Sequence, residues 1–274
     1  MSVYNVETDA EPAIETVEIL GIPFAKITQK EGEKIIKQFL GEKNNRIVVT
    51  PNPEGVMQAR RNHAFAAALR SADLSLADGT GIVLASKFLR RKLPGRVRGV
   101  DTTLALLESL SQVCDDEQKN FTIFLLGGRP GVPEKAKENI EKNFTNVKVA
   151  GFHHGFFSDQ STGSHDSSQV VSEEQEILRE IACVKPDILL VCMGMPRAEL
   201  WAAAHKDLPV GVTMCVGGTI DILAGTVKLT PTWLRVIGME WLWRLIRQPS
   251  RFRRMFDIPR FVGAVVVNKF SRKT

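Results

Sequence analysis

Short β-branched runs alternate with longer segments of helical period through the first 225 residues, and few folds accept that order. Strand-like runs begin at Val17 (VEILGIPF), Arg46 (RIVVT), Asp73 (DLSLA), Phe121 (FTIFLLG), Val147 (VKVAG), Asp187 (DILLVCM) and Val210 (VGVTMCV). The intervening stretches are helical in pattern. In TQKEGEKIIKQFL, Ile35, Ile36, Phe39 and Leu40 recur at three- and four-residue spacing behind a start signal at Thr28. Strands that alternate with helices must be joined by crossovers, and crossovers build a parallel sheet with helices on its faces. The expectation is an α/β fold, a doubly wound, Rossmann-like and mostly parallel sheet. The segment from Ser158 to Ser172, rich in Ser, Gly and Asp, reads as a surface loop. No internal repeat of fixed period interrupts the pattern.

Composition divides the chain in two. With 274 residues, 43% apolar and 24% charged, it is long enough for one large domain or two small ones and is neither disordered nor fibrous. The net charge of +5 is unevenly spread: residues 1–227 carry a balance of −4 and residues 228–274 a balance of +9. The second part also holds Trp233, Trp241 and Trp243, with Pro249 and Pro259 cutting it into short helices. The division expected is an α/β body over residues 1–227 and a helical, basic, Trp- and Arg-rich C-terminal appendage over residues 228–274. A basic appendage on an acidic body suits a partner with phosphates, either nucleic acid or an anionic membrane surface. Of the four cysteines, Cys114, Cys183, Cys192 and Cys215, none forms a C-x-x-C pair and three lie in apolar runs, which reads as buried reduced thiols in a cytoplasmic setting. The polar, acidic N-terminus does not resemble a secretory signal, and no run of about eighteen apolar residues exists to form an ordinary transmembrane helix. Membrane contact would be peripheral.

Ligands of open α/β sheets bind where strands end and helices begin, so those edges were read for chemistry. After RIVVT comes Thr50-Pro51-Asn52-Pro53, where Asn52 suits a helix N-cap and Pro53 the first helical position. A cap is the simpler reading; a hydroxyl and an amide at a strand end can also orient a sugar or nucleotide. After DLSLA comes Asp78-Gly79-Thr80-Gly81, a turn by itself. At a strand end facing the same crevice, however, the Asp78 carboxylate could act as a general base toward an acceptor hydroxyl. After FTIFLL, Gly127-Gly128-Arg129-Pro130-Gly131 opens a helix whose N–H groups and dipole favour an anion, with a plain tight turn as the alternative. It matches neither the dinucleotide fingerprint nor a P-loop.

Gly194-Met195-Pro196-Arg197-Ala198-Glu199 follows DILLVCM, and Gly217, Gly218 and Asp221 follow the last strand-like run. Arg98, before a helix from Asp101 to Leu110, is the member of the Lys87–Arg98 basic cluster best placed to reach a phosphate; the rest reads as a solvated face. His153 and His154 are adjacent on a strand and point apart, and no Asp-x-Asp stands at a strand end. A bound diphosphate is therefore expected to be neutralised by arginines and helix dipoles, without a metal or other cofactor.

Taken together these edges resemble the WecG/TagA/CpsF family of bacterial glycosyltransferases, from about Glu18 to about Arg260. The matching text is TPNPE at Thr50, LADGTGIV at Leu76, RVRGVD at Arg96, FLLGGRPGV at Phe124, GFHHGFF at Gly151, GMPRAELW at Gly194, VGGTIDILAG at Val216 and GMEWLWRLIRQPSRFRR from Gly238. The resemblance implies inverting, metal-independent transfer of N-acetylmannosamine or a related sugar. The donor would be a UDP-sugar and the acceptor N-acetylglucosamine on a lipid diphosphate, for teichoic acid, common antigen or capsule synthesis. It implies that Asp78 is the catalytic base, that Thr50 and Asn52 line its pocket, and that Arg98 contacts diphosphate. The glycine edges, with Arg129, Pro196, Glu199 and Asp221, would complete the substrate site, and the appendage would supply Arg244, Arg251 and Arg254 at the membrane. Two positions depart from the family pattern: Ala198 replaces a Gln, and Lys228-Leu229-Thr230 replaces Arg-Ala-Pro. Losing one positioning hydrogen bond of this kind costs about one to several kcal/mol. The rivals are a nucleic-acid-binding module built on the basic tail, for which no recognisable helix-turn-helix, RRM or zinc spacing exists, and a catalytically silent UDP-sugar sensor. Oligomeric state is left open, a homo-oligomer included.

Overall fold

The computed structural model describes residues 14–42, 44–112, 120–156, 167–231, 234, 243 and 256–271. The chain begins with β1 (Thr16–Ile19) and β2 (Ile22–Ala25), then α1 (Gln29–Glu42), β3 (Arg46–Val49), α2 (Pro53–Ala59), α3 (His63–Ser71), β4 (Leu74–Ser75), α4 (Thr80–Phe88) and α5 (Gly99–Ser111). It continues through β5 (Phe121–Gly127), α6 (Val132–Asn143), β6 (Val147–His153), α7 (Ser167–Val184), β7 (Ile188–Cys192), α8 (Arg197–Ala204), β8 (Val212–Cys215) and α9 (Thr219–Leu223). The helix Asp257–Ser271, here α10, lies in the appendage.

Six strands form one sheet in the order β4-β3-β8-β7-β5-β6, every neighbouring pair parallel. The α/β expectation holds. The two central strands β7 and β8 are buried along their whole length, which is why ILLVC and VTMC read as apolar runs rather than alternating ones. Helices cover both faces. On one face α2, α3, α4, α7, α8 and α10 pack in a core that includes Val56, Phe65, Ile82, Ile181, Ala198 and Phe261. On the other, α1, α5, α6 and α9 pack through Ile36, Leu106, Ile140 and Ile220.

Three local readings change. The run from Val17 is not one strand: Leu20 (φ 51°) and Gly21 (φ 84°) make a two-residue turn, and β1 and β2 pair antiparallel as a hairpin outside the main sheet. Positive φ at both central residues is the geometry that matches the twist of the flanking strands. The strand from Asp73 shortens to Leu74–Ser75, and the Asp73 carboxylate accepts the Ile47 N–H at 2.9 Å beside it. The serine-rich stretch read as a loop becomes helix α7 from Ser167 onward; its earlier part lies outside the described residues. The start signal at Thr28 is borne out as a capping box, in which Thr28 N–H and O–H donate to Glu31 at 2.7 and 2.8 Å. These bonds hold the Glu31 carboxyl below its ordinary pKa.

The C-terminal helix α10 packs against the α/β part of the chain. Phe261 and Val265 of α10 are buried in the same core cluster as α2 and α4, and Arg61 reaches Asp257 at 2.7 Å.

Candidate active site

The segments leaving the neighbouring strands β3 and β8 depart to opposite faces, α2 to one and α9 to the other. Such a divergence opens a crevice at the carboxyl ends of the strands. A cleft of about 150 Å³ lies there, and its walls include Thr50, Asn52, Asp78, Arg98, Gly194, Glu199, Gly217, Gly218 and Asp221. Nine of the residues singled out from sequence are thus drawn into one cleft, Arg98 from the start of α5 and the rest from the segments that follow β3, β4, β7 and β8.

Each is held by a specific contact. Thr50 is buried and its hydroxyl donates to the Cys215 carbonyl at 2.9 Å, which ties the end of β3 to the end of β8. Asn52 caps α2 in extended backbone conformation, its Oδ1 accepting the Gly55 N–H at 2.9 Å, with Pro53 at the first turn. Its Nδ2 makes no hydrogen bond among the described residues and stands at the cleft wall. Asp78 is half-buried between β4 and Gly79, whose φ of 123° only glycine adopts without strain. The carboxylate thus enters the cleft just before the first turn of α4.

Arg98 is the most constrained cation of the cleft. It is 3% exposed, its backbone N–H donates to Gln29 Oε1 at 3.1 Å, and its Nη1 donates to both oxygens of Asp101 at 2.8 and 2.9 Å. The next residue must be glycine, because a Cβ at Gly99 would lie 2.8 Å from Thr50 Cγ2. Close approach of α5 to the end of β3 is what brings the guanidinium to the cleft.

Glu199 sits in the first turn of α8 with 2% of its surface exposed, and its Oε2 has no hydrogen-bond partner. Burial pushes its pKa up to about 7, against a smaller lowering by the backbone N–H of Glu199 itself. Its neighbour Ala198 is 1% exposed and packed in the core. Position 198 therefore faces the interior, and the missing Gln falls in packing rather than on the cleft wall.

Other expected residues go elsewhere. Gly127, Gly128 and Arg129 stand at the next edge and are not among the residues lining the cleft. A Cβ at Gly127 would come within 2.4 Å of the Cys192 carbonyl carbon, so that glycine allows β5 to lie against β7. Pro196 follows Met195 through a cis peptide bond, and Met195 rather than Pro196 lines the wall. Arg244, Arg251 and Arg254 lie outside the described residues. Lys228, Leu229 and Thr230, the other departure from the family pattern, do line the cleft, together with Trp243 of the appendage. Sequence reading missed Lys228 and Trp243 as site residues, since nothing local marks where an appendage folds back.

Cys192 and Cys215 are buried and burial pushes their thiols up, Cys192 to about 12, so neither is a nucleophile at neutral pH. Cys183, expected to be buried, is exposed on α7. Among the described residues no group of three His, Cys, Asp or Glu is arranged to hold a metal ion.

The arrangement joins a half-buried carboxylate, a fixed guanidinium, a lysine and glycine-lined strand ends, which suits transfer to a hydroxyl from a phosphorylated donor. The comparisons agree in kind. Residues 17–274 match the model of the glycosyl transferase WecG/TagA/CpsF family. A protein of Staphylococcus aureus (strain MW2) named N-acetylglucosaminyldiphosphoundecaprenol N-acetyl-beta-D-mannosaminyltransferase is 31% identical over 256 residues, covering 92% of this chain and 93% of that one. Proteins of the same name in Bacillus spizizenii and Bacillus subtilis (strain 168) are 31% and 28% identical, over 83% and 87% of this chain and 81% and 86% of theirs. With its carboxylate, guanidinium and glycine edges gathered at the diverging strand ends, this chain is a glycosyltransferase that belongs to the WecG/TagA/CpsF family.

Proposed function

We propose that the chain transfers N-acetylmannosamine, or a closely related sugar, from a UDP donor to N-acetylglucosamine on undecaprenyl diphosphate, for a cell-surface polymer. The observation that carries this reading is the meeting of Asp78 and Arg98 in one cleft of a chain whose relatives are named as N-acetylmannosaminyltransferases acting on N-acetylglucosaminyldiphosphoundecaprenol. Asp78 accepts the proton of the acceptor hydroxyl as that oxygen attacks the anomeric carbon from the face opposite UDP. The C–O bond to the diphosphate breaks and the configuration inverts. Asn52 Nδ2 orients a sugar or phosphate oxygen, and Thr50 keeps the two strand ends in register. Charge developing on the departing diphosphate meets Arg98, which Asp101 holds in place before the reaction begins, and Lys228 at the cleft wall.

The same reading has the enzyme work at a membrane surface. No described helix is long and apolar enough to cross a bilayer. Leu84 and Phe88 of α4 and Val267 and Phe270 of α10 are nonetheless exposed, and Lys269 Nζ lies 3.8 Å from the Phe88 ring centre, joining the two helices. Lys87, Arg90, Arg91 and Lys92 follow on the same stretch of chain. Apolar side chains beside basic ones suit the interface of an anionic bilayer.

The test is turnover with UDP-N-acetylmannosamine and a lipid-diphosphate N-acetylglucosamine acceptor, read as UDP release and product mass, with α- or β-linkage assigned by NMR. Product formation that survives EDTA supports the reading. Strong Mg²⁺ dependence overturns the metal-independent part, and binding of oligonucleotides without binding of UDP returns the basic tail to nucleic acid. Co-sedimentation with anionic vesicles should fall for Val267→Asp/Phe270→Asp; undiminished sedimentation overturns the membrane face.

A further inference from the structure

The buried carboxyl of Glu199 has no task in the mechanism above, and leaving it there is costly. Its Oε2 is without a hydrogen-bond partner among the described residues, it is nine-tenths and more buried, and it belongs to the cleft wall. Buried polar atoms are ordinarily satisfied, and an exception at a cleft points to a group that arrives with the ligand. We propose that Glu199 binds the substrate diphosphate, its carboxyl O–H donating a hydrogen bond to a non-bridging phosphate oxygen. This rests on the nucleotide-sugar reading of the cleft.

The chemistry selects the partner. A phosphate oxygen of a diphosphate ester only accepts, and an ionised carboxylate also only accepts, so the two repel unless the carboxyl keeps its proton. Burial keeps it: the pKa stands at about 7 before any ligand enters. An anion placed beside it raises that value further. Arg98 and Lys228 stand in the same cleft and give the diphosphate its positive partners. The other ionisable groups of the cleft are Glu54 of α2, Asp78 and Asp221 of α9. Cys215 of β8 also senses Glu199, and its own thiol stays neutral because it is buried. Among the described residues, the other ionisable groups on α8 and on the elements packed against it include Arg197, His205, Glu174 of α7, which accepts from Trp201 at 2.8 Å, His63 and Arg70 of α3, the latter donating to the Gly21 carbonyl at 2.8 Å, and Cys192 of β7.

The experiment is calorimetric titration of the full chain and of Glu199→Gln, at about pH 6 and about pH 8.5. One arm uses UDP-N-acetylmannosamine and the other a short-chain, soluble lipid-diphosphate N-acetylglucosamine. Neither diphosphate ester titrates in that range, and any protonation elsewhere is common to both proteins. With a pKa near 7, wild-type affinity should fall roughly thirtyfold between the two pH values, while Glu199→Gln, whose amide donates at any pH, should stay within about twofold. A loss confined to one arm identifies whose diphosphate Glu199 holds. Matching pH profiles in wild type and Glu199→Gln overturn the proposal and leave the cleft reading standing. Wild-type affinity that rises with pH overturns it too, because it would mean a ligand hydroxyl or N–H donating to the carboxylate. Failure of the wild type to bind either compound at any pH overturns both readings. Glu199→Ala, checked for folding by circular dichroism, should bind weakly at both pH values; affinity equal to Glu199→Gln would again overturn the proposal.

Discussion

Two strand ends of this molecule carry the same text, a pair of glycines opening a helix, and only one of the two pairs lines the cleft. Gly217-Gly218 follows β8 and lines the cleft with Glu199 and Asp221. Gly127-Gly128 follows β5 and is filled from within: Gly127 lies against the Cys192 backbone, and a Cβ at Gly128 would meet Val132 and Ile220 at 3.1 and 3.2 Å. At Gly217 and Gly194 a Cβ would meet nothing within 4 Å. A glycine pair therefore marks either an approach of backbone to ligand or an approach of backbone to backbone.

The contrast can be broken in four ways. The largest effect belongs to the cleft. Asp78→Asn should lower kcat by about 10² to 10⁴ while UDP binding stays near wild type, since the amide fills the same space but takes no proton. Near-normal single-turnover rates would remove Asp78 as base. Next, Gly127→Ala should unfold the protein at lower denaturant, by roughly 3 kcal/mol, because a side chain at φ 136° meets backbone that cannot move aside. Gly217→Ala, at φ 55° with open space, should cost only about 1 kcal/mol. Equal losses in chemical denaturation would mean that both edges are packed alike.

Third, Glu199→Gln should stabilise the fold above about pH 7. The carboxyl's folded pKa lies above its unfolded value of 4.5, so the folded state binds the proton more tightly. Relative to low pH, that contribution is present below about pH 4.5 and is lost as pH rises to about 7, a loss on the order of 3 kcal/mol from a residue 2% exposed. Denaturation curves at about pH 5 and pH 8 should differ less for Glu199→Gln than for wild type; identical differences would show that the carboxyl is not desolvated. The smallest effect belongs to the closed edge. Arg129→Ala should change kcat/KM by less than about twofold, against about 10²-fold for Arg98→Ala, whose guanidinium makes charge-assisted contacts. A comparable loss at Arg129 would bring the β5 edge back into the site.

Much of this was legible beforehand, for identifiable reasons. Parallel strands buried on both faces must be apolar along their length, so β5, β7 and β8 announced themselves. Thr28, and Asn52 with Pro53, are cap signals that act within one turn, and both cap their helices in the structure. Asp78, Thr50, Asn52 and Arg98 came together because each stands at a strand end or helix start, and parallel topology gathers those ends at one edge. Leu20-Gly21 was passed over because the apolar run continues through it, hiding a turn inside what reads as one strand. Ala198 was read as a lost ligand contact, although its side chain faces the core.

What the sequence by itself determined was the class of fold and the shortlist of chemical groups, since hydrophobic period, caps and glycines act over a few residues. Only the tertiary structure decided which groups share a cleft and which glycines face packed backbone. It also decided that a first-turn glutamate, a position usually wet, is buried with one oxygen unpartnered. Those outcomes depend on the order β4-β3-β8-β7-β5-β6 and on the face each crossover takes. Neither is encoded within any single strand–turn–helix segment; both follow from how all the segments bury their apolar faces at once.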